Sequence, residues 1–268
     1  METQEKEDEN YYINNKYLVV ESINSGAFGD VFKGINIITQ TEVAIKRENK
    51  DLDISLLKNE ALVYDFLKGI PGILSIKWYG TDDSYRYLVI GLLGKSLEDL
   101  IDLYQNIGKQ QVKKLGVAIL DVLKNLHNKG LVHRDIKPSN ILLGSDEDKN
   151  KIFITDFGLS TIYIESDGSH KKERKVDSII GSRKYISING HNLISQSRRD
   201  DLESFFYVLE YLIRGDLPWD NEADIKRCKE LYILSDFVFF KGFINNIRQL
   251  GFDEAPNYEL LKSIIISS

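Results

Sequence analysis

Residues 133–140 read His-Arg-Asp-Ile-Lys-Pro-Ser-Asn, and Asp156-Phe157-Gly158 follows. Between them, Ile141-Leu142-Leu143 is a short apolar run. A polar turn extends from Gly144 through Asp146, Asp148 and Asn150 to Lys151, and Ile152-Phe153-Ile154-Thr155 is a second run rich in β-formers. Two short strands around a polar loop read as a hairpin. An antiparallel hairpin brings its outer ends together, here Asn140 and Asp156, so two oxygen ligands meet without long-range folding. Oxygen is the ligand that magnesium demands. Asp135 lies in the loop entering the hairpin and can reach the same point. The competing reading is a chance string on a structural hairpin, and the number of specified positions weighs against it.

The remaining composition bounds the possibilities. A chain of 268 residues holds one large domain or two lobes. A hydrophobic content of 42% with 28% charged residues suits a soluble globular protein, and no apolar run approaches the roughly 20 residues of a membrane span. The start, Met1 to Asn10, is acidic and polar and does not read as a secretory signal. Residues 1–16 are expected to form an acidic, disordered lead. The single cysteine, Cys228, cannot close an internal disulfide, which favours an intracellular compartment, cytoplasm or nucleus. Four histidines with one cysteine and no close pairing argue against a zinc site. A net charge of −6 disfavours a general nucleic-acid binder.

The first ninety residues read mainly as sheet. Tyr17 to Asn24 and Val31 to Ile38 are strand-like around Ser25-Gly26-Ala27-Phe28-Gly29-Asp30. Glycines at such a turn let backbone N–H groups approach phosphate oxygens, although most glycine turns are plain hairpins. Asn24 stands where the pattern G-x-G-x-x-G has its first glycine; asparagine tolerates left-handed backbone better than most residues. In Val43-Ala44-Ile45-Lys46, Ala44 and Lys46 share a face, a small wall for a flat base beside an ammonium. Asp51 to Lys68 reads as a helix capped by Asp51 or Asp53 and ended by Gly69. Glu60 lies within it, read either as a partner of Lys46 or as a solvated surface glutamate. Tyr85 to Gly91 is a further strand, followed by Leu92-Leu93-Gly94.

The remainder reads mainly as helix. Ser96 can cap a helix carrying Leu97, Leu100 and Ile101. Val112, Leu115, Ile119, Val122 and Leu126 recur at helical spacing and predict a long amphipathic helix from about Gln110 to Asn128. Leu202, Phe205, Leu209 and Leu212 mark another buried helix face, closed by Gly215.

Leu92-Leu93-Gly94-Lys95-Ser96-Leu97-Glu98-Asp99-Leu100 resembles the LLG-x-SLEDL string of the casein kinase 1 family of serine/threonine protein kinases. Ser197 to Ser204 matches its SRRDDLES, and Leu217-Pro218-Trp219 after Arg214-Gly215 matches its RG-x-LPW. Tyr185-Ile186-Ser187-Ile188-Asn189 stands where most protein kinases carry Ala-Pro-Glu, itself a mark of that family. The resemblance spans about Tyr17 to Leu261. The chain departs from it at Asn24, at Gly91, at Phe205 and Phe206, and at Gly181-Ser182-Arg183-Lys184-Tyr185.

The resemblance implies a bilobal α+β protein-kinase fold over residues 17–268. It places a β-rich lobe at about 17–91, a hinge at about 91–95 and a helical lobe at about 96–268. It implies ATP and Mg2+ as cofactors, with Asp135 orienting the acceptor hydroxyl and taking its proton, Lys137 neutralising the moving phosphoryl group, and Asn140 and Asp156 holding the metal. Lys46, braced by Glu60, would grip inner phosphates. Asn24, Gly26, Phe28, Gly29, Val31, Ala44, Lys46, Ile90, Leu93 and Leu142 would surround the nucleotide. Asp201 would brace the catalytic loop. The partners implied are acidic or phosphorylated protein substrates met by a monomer, with no nucleic acid and no membrane. Lys184 and Lys229 align with that family's anion-binding pair, and Lys171, Lys172, Arg174 and Lys175 add local positive charge. A kinase-like scaffold without catalysis and a kinase acting on a small molecule are the alternatives.

Overall fold

A computed structural model describes residues 11–26, 29–145 and 148–268. Six strands form one antiparallel sheet in the order β1-β2-β3-β4-β6-β5. They are β1 (Tyr12–Ile13), β2 (Tyr17–Gly26), β3 (Gly29–Asn36), β4 (Thr41–Asn49), β5 (Trp78–Thr81) and β6 (Tyr85–Gly91). The two-residue period of a strand divides their side chains between two cores. Val43 and Ile45 of β4 join Tyr17, Tyr87 and Val89 in a small outer core. Leu88 and Ile90 of β6 face inward, where Ala44 packs as well. Helix α1 (Leu56–Phe66) lies against that inner face through Leu57 and Tyr64.

The second lobe is mainly helical: α2 (Leu97–Tyr104), α3 (Lys109–Asn128), α4 (Ile188–His191), α5 (Arg198–Arg214), α6 (Ile225–Leu234), α7 (Lys241–Ile247) and α8 (Tyr258–Ser267). Two small ribbons interrupt it, β8 (Ile141–Leu143) with β9 (Ile152–Ile154), and β7 (Leu131–Val132) with β10 (Thr161–Ile162). The central α3 contacts α5, α8 and β9, and its Val112, Ile119, Leu123 and Leu126 are fully buried. One continuous core runs from α1 and the inner sheet face through Phe157 to these helices. The arrangement is the expected α+β pair of lobes. No helix among the described residues is long and apolar enough to cross a membrane.

Two local expectations are corrected. The helix expected from Asp51 starts at Leu56, with Ser55 rather than Asp51 or Asp53 at its N-cap. Ser55 Oγ accepts from Lys58 N at 3.1 Å and donates to the Glu48 carboxylate, which also accepts from Leu57 N at 3.0 Å. A carboxylate from β4 thus satisfies a helix-end donor that sequence reading assigned to a nearby aspartate. The lead expected to be disordered through residue 16 contains β1, whose Tyr12 and Ile13 pair with Leu18 and Tyr17. Ile13 is buried, and Tyr11 Oη lies 2.6 Å from Tyr87 Oη.

Leu123→Ala should cost about 2–5 kcal/mol, the range for truncating a leucine in a packed core. Urea denaturation should show a lower midpoint at unchanged slope. A variant as stable as the parent would contradict the packing of α3.

Candidate active site

The β8–β9 hairpin does what its sequence foretells. Ile141 pairs with Ile154, and Thr155 N donates to Asn140 O at 2.9 Å, so Asn140 and Asp156 flank one point. The Asn140 side-chain amide donates to the Asp135 carbonyl at 2.9 Å and to its carboxylate at 3.3 Å. Lys137 Nζ lies 2.8 Å from Asp135 Oδ2 and 3.2 Å from Ser182 Oγ. The other Asp135 oxygen accepts from Ser182 N at 2.8 Å. The chain beyond Asp156 therefore returns against the loop bearing Asp135. Gly181 allows that approach: its φ is +100°, and a Cβ there would stand 2.3 Å from the Arg134 carbonyl oxygen.

Arg134 and Asp156 both have φ of +68°, a left-handed backbone that costs non-glycine residues energy. Asp201 of α5 holds the first of them. Its two oxygens accept from His133 N at 2.7 Å and Arg134 N at 2.8 Å, and His127 Nε2 lies 3.0 Å away. Burial opposes ionisation of Asp201, but His127, His133 and the His133 backbone amide outweigh it and keep its pKa below the usual carboxylate value. His127 in turn bonds Tyr258 of α8 through Nδ1.

Lys46 of β4 meets Glu60 of α1 at 2.6 Å and Asp156 at 3.6 Å. The glutamate is therefore a buried partner and not a solvated surface group. Burial alone would lower the Lys46 pKa, but the charges of Glu60 and Asp156 outweigh it and raise it. Burial likewise opposes ionisation of Asp156, and Lys46, His133 and Lys137 lower its pKa nonetheless. Phe157 sits between the lobes, with ring centroids 5.0 Å from Tyr64 and 5.1 Å from His133. Asn59, beside Glu60, completes the junction: its Nδ2 lies 2.9, 3.2 and 3.3 Å from the carbonyl oxygens of Gly158, Ser160 and Phe157. No motif in the sequence singled out Asn59.

A cavity of about 390 Å³ opens between the lobes, a size suited to a small ligand. Asn24, Gly29, Val31, Ala44, Ile90, Leu93 and Leu142 line it, as do Lys46, Glu60, Asp135, Lys137, Asn140 and Asp156. Gly26 pairs with Gly29 at the end of the β2–β3 hairpin, and Phe28 lies outside the described residues. Gly29 has φ of +121°, and a Cβ there would stand 2.2 Å from the Arg47 carbonyl oxygen, so packing alone already calls for glycine. The donor set fits magnesium: a carboxylate and an amide beside room for phosphates, the mixture this cation takes. A second cavity, of about 110 Å³, is lined by Arg134, Lys171, Lys172 and Arg174.

The expected pairing of Lys184 with Lys229 as an anion grip is corrected. Lys229 is fully buried in α6. Its amino group reaches Ile186 O at 2.6 Å, Arg183 O at 3.1 Å and His191 Nε2 at 3.3 Å, and lies 4.5 Å from the Tyr207 ring centroid. It braces the backbone of residues 183–186 and is shut off from an incoming anion. Lys184 is partly exposed but paired with Asp220 at 2.7 Å. The family model described as "Protein kinase domain" matches residues 17–239.

Asn59→Leu should lower kcat about tenfold, the scale of coupling carried by one contact network, while the KM for peptide stays near that of the parent. Steady-state kinetics with a thermal melt check this; equal loss in both parameters would make Asn59 a general stabiliser only. For Lys229, burial pushes the pKa down to about 7, with Glu203 opposing it weakly. The unfolded chain keeps the ordinary lysine value of about 10.4 and so binds more protons than the folded chain between those pH values. This residue's contribution to stability should therefore rise from about pH 7 towards about pH 10, and Lys229→Met should flatten the rise in denaturation midpoint.

Proposed function

The chain belongs to the protein kinase family, and we propose that it is a catalytically active serine/threonine protein kinase of the casein kinase 1 type, using ATP and magnesium. The observation that carries this reading is the convergence of Asp135, Lys137, Asn140, Asp156, Lys46 and Glu60 on one interlobe cavity. In-line phosphoryl transfer asks the protein chiefly for positioning and charge stabilisation, and this set supplies both. Asp135, fixed by Ser182 N and Lys137, orients the acceptor hydroxyl and takes its proton. Lys137 offsets charge on the group in transit, as its contact with the Asp135 carboxylate permits. Lys46, kept cationic by Glu60 and Asp156, holds inner phosphate oxygens. Asn140 and Asp156 are the residues that would hold magnesium, which supplies neutralisation of phosphate charge.

The substrate is an acidic or phosphorylated protein segment. The cluster of Arg134, Lys171, Lys172 and Arg174 around the smaller cavity supports this, because charge acts locally within about 8 Å at physiological salt even on an acidic protein. The serine/threonine preference rests on Lys137 placed two residues beyond Asp135, as in the family strings. A scaffold without catalysis would tolerate a damaged polar set. Here each member is present and in contact with another.

Radiolabelled ATP with casein as acceptor tests the proposal. Label should appear on serine or threonine, and Asp135→Asn should reduce kcat about 10²- to 10⁴-fold, the usual contribution of a positioned base, with nucleotide binding retained. Nucleotide binding without any transfer by the parent protein would favour the scaffold. Phosphotyrosine as the product would refute the serine/threonine assignment.

A further inference from the structure

We infer that Asp220 is a specificity-determining residue: its carboxylate satisfies Lys184 from within the chain, so this subsite receives neutral substrate residues in place of anionic ones. The inference rests on the casein kinase 1 reading proposed above, which places a substrate subsite at Lys184, and refines its substrate class.

The pair is held from several sides. Lys184 Nζ lies 2.7 Å from Asp220 Oδ2, with the two side chains 32% and 25% exposed, close enough to solvent for a substrate to reach. Asp220 follows Trp219, which is fully buried and donates from its indole N–H to the Lys184 carbonyl at 2.8 Å. Leu217 N lies 3.4 Å from the same Asp220 oxygen. Asp220 is therefore tethered beside Lys184 by its neighbours. Lys184 also sits over the Tyr211 ring at 4.6 Å and the Tyr185 ring at 5.5 Å. Those rings carry further negative surroundings. Burial first, then the charges of Glu98, Asp102, Asp220 and Asp216, push the Tyr211 phenol up to about 12.

Lys229 cannot compensate, because its amino group is buried and engaged by Arg183 O and Ile186 O. An incoming phosphate at Lys184 must displace Asp220 or sit beside it among like charges, and either discriminates against anions. Attraction of acidic segments then falls to the cluster of Lys171, Lys172 and Arg174, which lines a different cavity.

The test uses the full chain and peptide pairs that differ only in serine or phosphoserine at successive positions upstream of the target. Two quantities are read: kcat/KM for each peptide, and the affinity of each for the protein by calorimetry. The parent should show a phosphorylated-to-unphosphorylated ratio near one at the subsite. Asp220→Asn should raise that ratio about five- to tenfold, the size expected from removing one like charge a few ångströms away in a well-solvated site. High salt should shrink the gain. Asp220→Glu should keep the parent's ratio, and the gain should vanish when Lys184→Met is added. A ratio unchanged by Asp220→Asn, or a gain that persists without Lys184 and so belongs to another cation such as Arg183, would overturn the inference. Should Asp220→Asn fail to fold, Asp220→Ser carries the same expectation. The calorimetric arm decides the matter even if no transfer occurs, an outcome that would defeat the kinase reading alone.

Discussion

The loop bearing Asp135 depends on one buried carboxylate. Asp201 accepts from two consecutive backbone amides, His133 and Arg134, and the second of these is held in a left-handed conformation. Such a backbone persists only where surrounding bonds over-determine it. Asp201 is itself positioned by its place in α5, between the fully buried Leu202 and the equally buried Asp200. It also meets His127 from α3, which bonds Tyr258 from α8. Three helices distant in sequence thus converge on the peptide units that aim Asp135. A carboxylate this deeply buried is tolerable because every nearby donor serves it, and its lowered pKa expresses the same fact.

The upper half of the site depends on a second junction. Lys46 can be oriented only if α1 is close, because Glu60 is on that helix. Closeness is secured by apolar contact, Tyr64 against Phe157, and by Asn59 on the carbonyls after Asp156. These contacts join α1 to the segment bearing Asp156. The orientation of Lys46, the position of the α1 helix and the placement of Asp156 therefore stand or fall together. That coupling explains how a cleft between two lobes can have a defined geometry while each lobe has its own sheet or helical framework.

What the sequence disclosed follows from the range of each interaction. The hairpin joining Asn140 to Asp156 is local, and its register follows from two apolar runs. The buried stripe of α3 is periodic, and Ser96 caps α2 through Asp99 within four residues. All of these were legible. The true start of α1 was not, because Glu48 reaches it from a strand. Asn59 was invisible because its partners lie about a hundred residues onward. The α6 and α7 helices are short and separated by residues 235–240, so their apolar residues make no long periodic signal. The strand β1 is two residues long and exists through its pairing with β2.

Lys229 shows where resemblance loses its force. A matching residue type transfers the possibility of an interaction, whereas burial and neighbours decide whether it occurs. The same lysine that could grip a phosphate from a shallow position becomes a brace when its amino group reaches two backbone carbonyls and an aromatic face. Its partner position is altered by a different route, since Lys184 remains accessible but meets Asp220. Both changes act on residues 183–186, one from inside and one from the surface. The segment is consequently braced through its backbone carbonyls and has its Lys184 charge offset by Asp220. Two lysines can in this way serve the shape of the 183–186 segment more than its electrostatic field.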